Sequence, residues 1–272
     1  MDFKSTSHPS KAFRTFGFAV LRRFFDPRPL AAEIDQVMQD GLVADVPRIG
    51  GIRFQYVPMM TARTPVSLSL LDRLEAVAVV LLGGSVLPTR AKGTRYSGSA
   101  PWYTDSASPL TSVGCLAYLE PLGAEDGALR VLPGSHHPDF REALGGLGVE
   151  GMAVPVLPAH VVVTEPGDLI LLEEHVLHAS FGGGTRRQWR VDFLNAPVSA
   201  EAEALTKSYF ADLYAPDWDG GYDVDRYPSY GPDWRDSTRP SVARLDALGV
   251  YELATAQEAF TRSRQRSTSE SR

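Results

Sequence analysis

The feature that most constrains this chain is its punctuation between about residues 85 and 195. Turn clusters recur there: Gly123-Ala124-Glu125-Asp126-Gly127, Pro133-Gly134-Ser135, Glu165-Pro166-Gly167-Asp168 and Gly182-Gly183-Gly184. The stretches between them are short and rich in Val, Leu and Ile, such as Val113-Gly114-Cys115-Leu116-Ala117-Tyr118 and Leu169-Ile170-Leu171-Leu172. They are too short for ordinary helices and too regularly interrupted for one long element. Many short strands with repeated turn signals specify a sandwich or barrel.

The flanks read differently. Gly17-Phe18-Ala19-Val20-Leu21 has the composition of a first strand. Asp26 then stands as an N-cap with Pro27 at the first helical position, and Leu30, Ile34, Val37 and Met38 recur at helical spacing. A second helix is expected over Pro65–Leu82, with Leu70, Leu71, Leu74, Val77, Ala78 and Leu81 on one face and Gly83-Gly84 as the stop. After the β-rich stretch, the Tyr, Trp, Asp, Gly and Pro of 206–236 suggest an irregular covering loop. A short helix is expected from Pro240, with Val242, Leu245 and Leu248 on one face, and a disordered polar tail over about 262–272. No repeat and no linker divides the chain, so the reading is one mainly β domain over 1–272 with flanking α-helices.

Composition narrows the function classes. With 272 residues, 43% hydrophobic and 22% charged, the chain is long enough to bury a core without staples. A formal net charge of −6 argues against a nucleic-acid partner, which wants a basic face. Cys115 is the single cysteine and sits in an apolar run, so it reads as a buried structural thiol in a reducing compartment. The N-terminal residues lack a continuous apolar secretion segment, and no run approaches a membrane span. A cytoplasmic protein acting on a small molecule is expected, with no nucleic-acid or membrane partner.

Five short motifs carry the chemistry. In order they are Trp102-Tyr103-Thr104-Asp105, Asp126-Gly127-Ala128-Leu129-Arg130-Val131-Leu132-Pro133-Gly134-Ser135-His136, Gly167-Asp168-Leu169-Ile170-Leu171-Leu172, Leu177-His178-Ala179-Ser180, and the downstream Arg190. Together, over roughly residues 14 to 255, this order is similar to the phytanoyl-CoA dioxygenase family of iron- and 2-oxoglutarate-dependent oxygenases. The resemblance implies a double-stranded β-helix of the jelly-roll or cupin-like kind. It implies Fe(II) and 2-oxoglutarate as cofactors, with Asp105 and His178 as metal ligands. Non-haem iron of this type is held by two His and one carboxylate, leaving positions open for cosubstrate and O₂. Arg190, shortly after the second ligand, is then the guanidinium expected to pair with the distal carboxylate of 2-oxoglutarate. Ser180 shares a face with His178 on a strand and would add a hydrogen bond. Lys92 is a further candidate for the other carboxylate.

One position departs from the family pattern: Tyr103 stands where a ligand His belongs, while Trp102 and Asp105 keep their places. A phenol with a pKa of about 10 is a poor ligand for Fe(II) near neutrality. Three readings stay open. Asp105 and His178 hold iron, with 2-oxoglutarate completing the site. Alternatively the pocket runs metal-free lyase, isomerase or cyclase chemistry with Tyr103, Asp105 and His178 as acid–base groups. Or the protein is a non-catalytic binding module. The first is the reading adopted: an oxygenase-like enzyme that hydroxylates, desaturates or cyclises a small, partly apolar metabolite, as in natural-product biosynthesis. His175 would face away from His178 on a strand. His136 and His137 read as turn residues. The aromatic segment Tyr209 to Trp234 reads as a lid or as packing across the barrel mouth.

Overall fold

The computed structural model describes residues 7–43, 52–149, 152–215 and 221–270. Strand β1 (Phe18–Leu21) follows helix α1 (Ser7–Phe16), which the sequence reading did not anticipate. Helix α2 (Pro27–Gly41) starts as expected: the Asp26 side chain accepts from Arg28 N at 3.1 Å, and Leu30, Ile34, Val37 and Met38 are its buried face. After β2 (Arg53–Pro58), helix α3 runs from Pro65 to Leu82 and ends on Gly83 at φ 76°, a left-handed cap that glycine adopts without strain.

The strands that follow weave between two sheets. They are β3 (Val86–Pro88), β4 (Lys92–Ser97), β5 (Ala100–Tyr103), β6 (Ser112–Tyr118), β7 (Asp126–Val131), β8 (His160–Val162), β9 (Leu169–Leu172), β10 (His178–Gly182) and β11 (Arg186–Asn195). The larger sheet has the order β1-β9-β6-β11-β4-β2, with β3 also paired to β11; the smaller has β5-β10-β7-β8. All these pairs are antiparallel. From β4 to β11 the chain passes back and forth between the sheets, with β7 and β8 both in the smaller one, as a double-stranded β-helix requires. The fold expected from the sequence is the one found, although helices hold more residues than strands.

The two sheets face each other. At one end the space between them is apolar: Leu116, Tyr118, Ile170 and Leu172 of the larger sheet meet Leu129, Val131 and Val162 of the smaller. Outside the larger sheet, α2 and α3 pack on Trp189, Val191 and Phe193, and Trp189 Nε1 donates to Ser67 Oγ at 2.7 Å. Outside the smaller sheet, Trp102, Leu132, Leu177 and Ala179 pack against Val149 and Val154, near helix α4 (Pro138–Gly146). Cys115 is fully buried on the helix-facing side, as expected, and burial raises its thiol above the usual range.

The C-terminal part corrects the sequence reading. Residues 200–213 are helix α5 (Ala200–Leu213), which contributes Tyr209 and Phe210, so the segment from 206 is not wholly an irregular loop. Residues 216–220 of that segment lie outside the described ones. Short α6 (Pro232–Arg235) and α7 (Pro240–Ala247) follow, and α8 runs from Val250 to Glu270, through most of the tail expected to be disordered. Its anchoring contacts explain the difference: Glu258 accepts from Ser229 N just before that tail, and within it Arg262 Nε donates to Asp225 Oδ1 and Gln265 Nε2 to the Tyr222 carbonyl. A polar helix with one packed face forms where an isolated one would not. No helix among the described residues is long and apolar enough to cross a membrane.

Candidate active site

Strand β11 builds the site by simple alternation. Arg187, Trp189, Val191 and Phe193 point to the helices or the outer surface, so Arg186, Gln188, Arg190 and Asp192 point between the sheets. Register places Tyr96, Thr94 and Lys92 of β4 opposite Arg186, Gln188 and Arg190, and Gly114 of β6 opposite Asp192. The inner face is therefore polar at this end, with Arg186 4%, Gln188 1% and Asp192 4% exposed. Burying such groups is tolerable only if they are paired.

His178 opens β10 and is 2% exposed. Its strand is aligned by the Pro133-Gly134-Ser135 turn, where Ser135 Oγ accepts from Leu177 N at 2.7 Å. The His178 ring contacts the Val176 carbonyl through Nδ1 at 2.8 Å. A carbonyl only accepts, so Nδ1 carries a proton, and Nε2 is the nitrogen turned into the site. That nitrogen faces Asp105 Oδ1 at 3.5 Å. Asp105 lies beyond the strand and not on it with Tyr103. Strand β5 ends at Tyr103, and Asp105 sits in the following bend, where its N donates to the Glu174 carbonyl at 2.9 Å.

The other carboxylate oxygen is tied down. Arg190 Nη2 donates to Asp105 Oδ2 at 2.9 Å, while Arg190 Nε donates to Asp192 Oδ1 at 2.7 Å. Burial raises the Asp105 carboxyl, but the Arg190 guanidinium and then His178 outweigh it and hold the group well below the usual carboxylate range. The same carboxylates keep Arg190 charged despite its burial. Glu174 completes this polar layer. It accepts from Ser112 Oγ at 2.6 Å and from Tyr209 OH at 3.2 Å, and lies 3.5 Å from Arg190 Nη2. Desolvation, then the Asp192 charge, push its carboxyl up to about 7.

Arg190 and Ser180 were expected to act on one carboxylate; the structure separates them. Ser180 Oγ instead receives Arg186 Nη2 at 3.1 Å, and Arg186 Nη1 reaches the Gly98 carbonyl at 3.2 Å. The guanidinium lies over the Tyr96 ring, with Cζ 5.6 Å from its centroid, and against Gly127. A Cβ on Gly127 would fall 2.8 Å from Arg186 Cζ, and its φ of +87° also favours glycine, so a side chain there would fill the guanidinium's seat. Arg186 has no carboxylate partner among the described residues, and its buried Nε has no hydrogen-bond partner. Arg186, Glu174 and Asp192 were missed from the sequence, and Tyr209 was singled out only as the start of a covering aromatic segment. The polar–apolar alternation of 186–193 was the available signal for the first and third.

The remaining expected residues fall as follows. Tyr103 is opposite His178, their rings 4.2 Å apart, and stays 40% exposed at the mouth. Desolvation at the phenol, then the Asp105 charge, push its pKa well above the ordinary value, so it is a neutral hydroxyl. Lys92 stands across from Arg190, away from the Arg186–Ser180 pair. His175 turns away and bonds Glu173 and the Ser108 carbonyl. His136 and His137 meet the carbonyls of Arg14 and Thr15, both at 3.2 Å, and so close the end of α1. Among the described residues no three His, Cys, Asp or Glu side chains are grouped to hold a metal. The available donors are one imidazole nitrogen and one carboxylate oxygen, turned toward each other with their far atoms fixed.

The family profile described as phytanoyl-CoA dioxygenase matches residues 95–190, a narrower span than the sequence reading assigned. No curated protein sequence matches the chain. Among solved structures, HygX from Streptomyces hygroscopicus with nickel and 2-oxoglutarate bound is 20% identical over 70% of this chain and 87% of its own, with TM-score 0.56. The non-heme alpha ketoglutarate dependent epimerase SnoN from nogalamycin biosynthesis is 16% identical over 74% of this chain and 90% of its own, at 0.57. EvdO2 from Micromonospora carbonacea var. aurantiaca, complexed with 2-oxoglutarate, is 19% identical over 72% and 93%, at 0.52. At these identities the structures establish the shared fold.

Proposed function

Starting from a chain whose strand core matches the phytanoyl-CoA dioxygenase family and is that of a dioxygenase-like enzyme, we propose that it is a 2-oxoglutarate-dependent oxygenase. It oxidises a small metabolite, in the manner of natural-product tailoring. The observation that carries this reading is Arg186. A buried guanidinium with an orphaned Nε, no carboxylate partner among the described residues and Ser180 Oγ beside it is a seat for an anionic ligand. Ser180 is two residues from His178 on one strand, so that seat shares a face with the metal-facing imidazole. The residues present fit 2-oxoglutarate.

They also fit a metal held by two protein donors, Asp105 Oδ1 and His178 Nε2. Metal sites need their ligands oriented by outer partners. Here Val176 O fixes the tautomer of His178, and Arg190, itself anchored on Asp192, holds Asp105 Oδ2 so that Oδ1 is free. The chemistry that Fe(II) and 2-oxoglutarate supply when bound is reduction of O₂, coupled to decarboxylation of the oxo acid to succinate and oxidation of the substrate. The chain's own residues then have distinct tasks. Arg186 and Ser180 bind a carboxylate of the cosubstrate. Arg190, anchored on Asp192, keeps the Asp105 carboxylate ionised and oriented, and the Glu174 carbonyl holds the Asp105 backbone N–H. Tyr209 of α5, bonded to Glu174, closes one flank against water. Tyr103 lines the mouth as a neutral hydrogen-bond donor toward the substrate.

A second reading keeps the pocket and drops the metal, with Tyr103, Asp105 and His178 as acid–base groups. The phenol in the third ligand position favours it. Calorimetric titration of the Ni(II)-loaded protein with 2-oxoglutarate decides between them. Binding in the native chain, weakened at least about 100-fold by Arg186→Met, is the expected result, because a buried charge-assisted contact worth roughly 3 kcal/mol is lost. Absence of 2-oxoglutarate binding in the native chain overturns the oxygenase reading in favour of metal-free chemistry.

A further inference from the structure

Lys92 is the inner-face cation that nothing yet employs. Gly93, its neighbour, faces Met59 and Ile34 of the helix-side core, so Lys92 points between the sheets. It is partly buried, and among the described residues its ammonium has neither a hydrogen bond nor an ion pair. The charged groups that act on it are Asp192, Arg190, Arg90 and Asp105. Both carboxylates in that set are already taken by Arg190. An ammonium in such surroundings is unfavourable unless something compensates it. Its pKa registers this: desolvation outweighs the Asp192 charge and lowers it to about 8.

The other inner-face cations of the site are already engaged: Arg190 is spent on Asp105 and Asp192, and Arg186 is seated with Ser180. Lys92 is the cation left to meet a further anion.

We propose that Lys92 determines substrate specificity: it receives a carboxylate of the molecule being oxidised, so the enzyme acts on organic acids in preference to neutral metabolites. This rests on the oxygenase reading and adds its substrate class. It also removes Lys92 from the cosubstrate's own binding set.

The test uses the full chain loaded with Ni(II) and 2-oxoglutarate, so that no turnover intervenes. Acetate, hexanoate, benzoate and phenylacetate are each titrated against their primary amides by calorimetry, on native protein, Lys92→Met and Lys92→Arg. At least one acid is expected to bind the native protein tenfold or more tightly than its amide. That preference vanishes in Lys92→Met and returns in Lys92→Arg, while 2-oxoglutarate affinity stays within twofold throughout. Circular dichroism checks that the variants fold, and Lys92→Gln replaces the Met variant if that one does not. The proposal is overturned if no acid outbinds its amide, if Lys92→Met or Lys92→Gln keeps the preference, or if 2-oxoglutarate affinity falls with the loss of Lys92. Failure of 2-oxoglutarate to bind the native protein is a separate result and strikes the oxygenase reading itself.

Discussion

At the scale of single residues, Tyr103 and Arg190 decide how a metal is held. Tyr103 lies beside His178 but offers a protonated phenol, whereas an imidazole there would offer a lone pair at neutral pH. Tyr103→His is therefore expected to tighten Ni(II) binding by at least the roughly tenfold that even an outer partner contributes. Competition against a chelator measures this, and unchanged affinity places residue 103 off the metal. Arg190 acts one shell out. Its Nε and Nη2 hold two carboxylates at once, a geometry that a lysine ammonium does not reproduce. Arg190→Lys is expected to weaken Ni(II) about 10- to 100-fold. Calorimetry reads that loss, and full retention of affinity shows that Asp105 needs no orienting partner.

At the scale of elements, the site depends on two strands being held in register. Strand β11 supplies Arg186, Arg190 and Asp192 only because its alternation is anchored by Trp189 on the helix side. Strand β10 presents His178 because Ser135 captures Leu177 N. The Pro133-Gly134-Ser135 motif, which the sequence reading treated as a family signature and a turn, is thus a physical brace for the imidazole. Ser135→Ala leaves a buried N–H without its acceptor and is expected to cost about 1–3 kcal/mol. Chemical denaturation measures that cost, and a variant as stable as the native chain removes the brace from the account. His136 and His137 serve α1 and not the site, in keeping with their reading as turn residues.

At the scale of the whole molecule, stability is tied to pH through the buried carboxylates. Glu174 titrates near 7 in the fold against about 4.5 for an unburied carboxyl, because desolvation and Asp192 oppose its ionisation. A group whose folded pKa is raised contributes stability that is full below the unfolded value and lost as pH rises through the folded one. The metal-free protein is therefore expected to weaken between about pH 5 and pH 8, by an amount on the order of 1–3 kcal/mol. Glu174→Gln, which keeps an acceptor for Ser112 and Tyr209, is expected to flatten that loss. Urea unfolding at pH 5.5 and 8.5 compares the two, and equal slopes show that Glu174 is not the group responsible.

Local order along the chain was enough to settle some of this. Asp26-Pro27, the apolar period of 65–82 and Gly83 place two helices, since caps and periodicity act within a few residues. The turn clusters and motif order from 85 to 195 indicate the double-stranded β-helix and pick out Tyr103, Asp105 and His178, which come together as expected. The partners that give these residues their properties were not legible. Which arginine meets Ser180, that Glu174 turns inward beside Tyr209, and that α8 continues through the polar tail depend on contacts between distant segments. Arg186 and Arg190 share one face of one strand, and nothing in their spacing says which has a carboxylate waiting. By itself the sequence determined the strands, turns and reactive side chains, because those follow from backbone preference and period. The tertiary structure alone decided their pairing and charge state, because desolvation and Coulomb interactions are set by what the fold brings within a few ångströms.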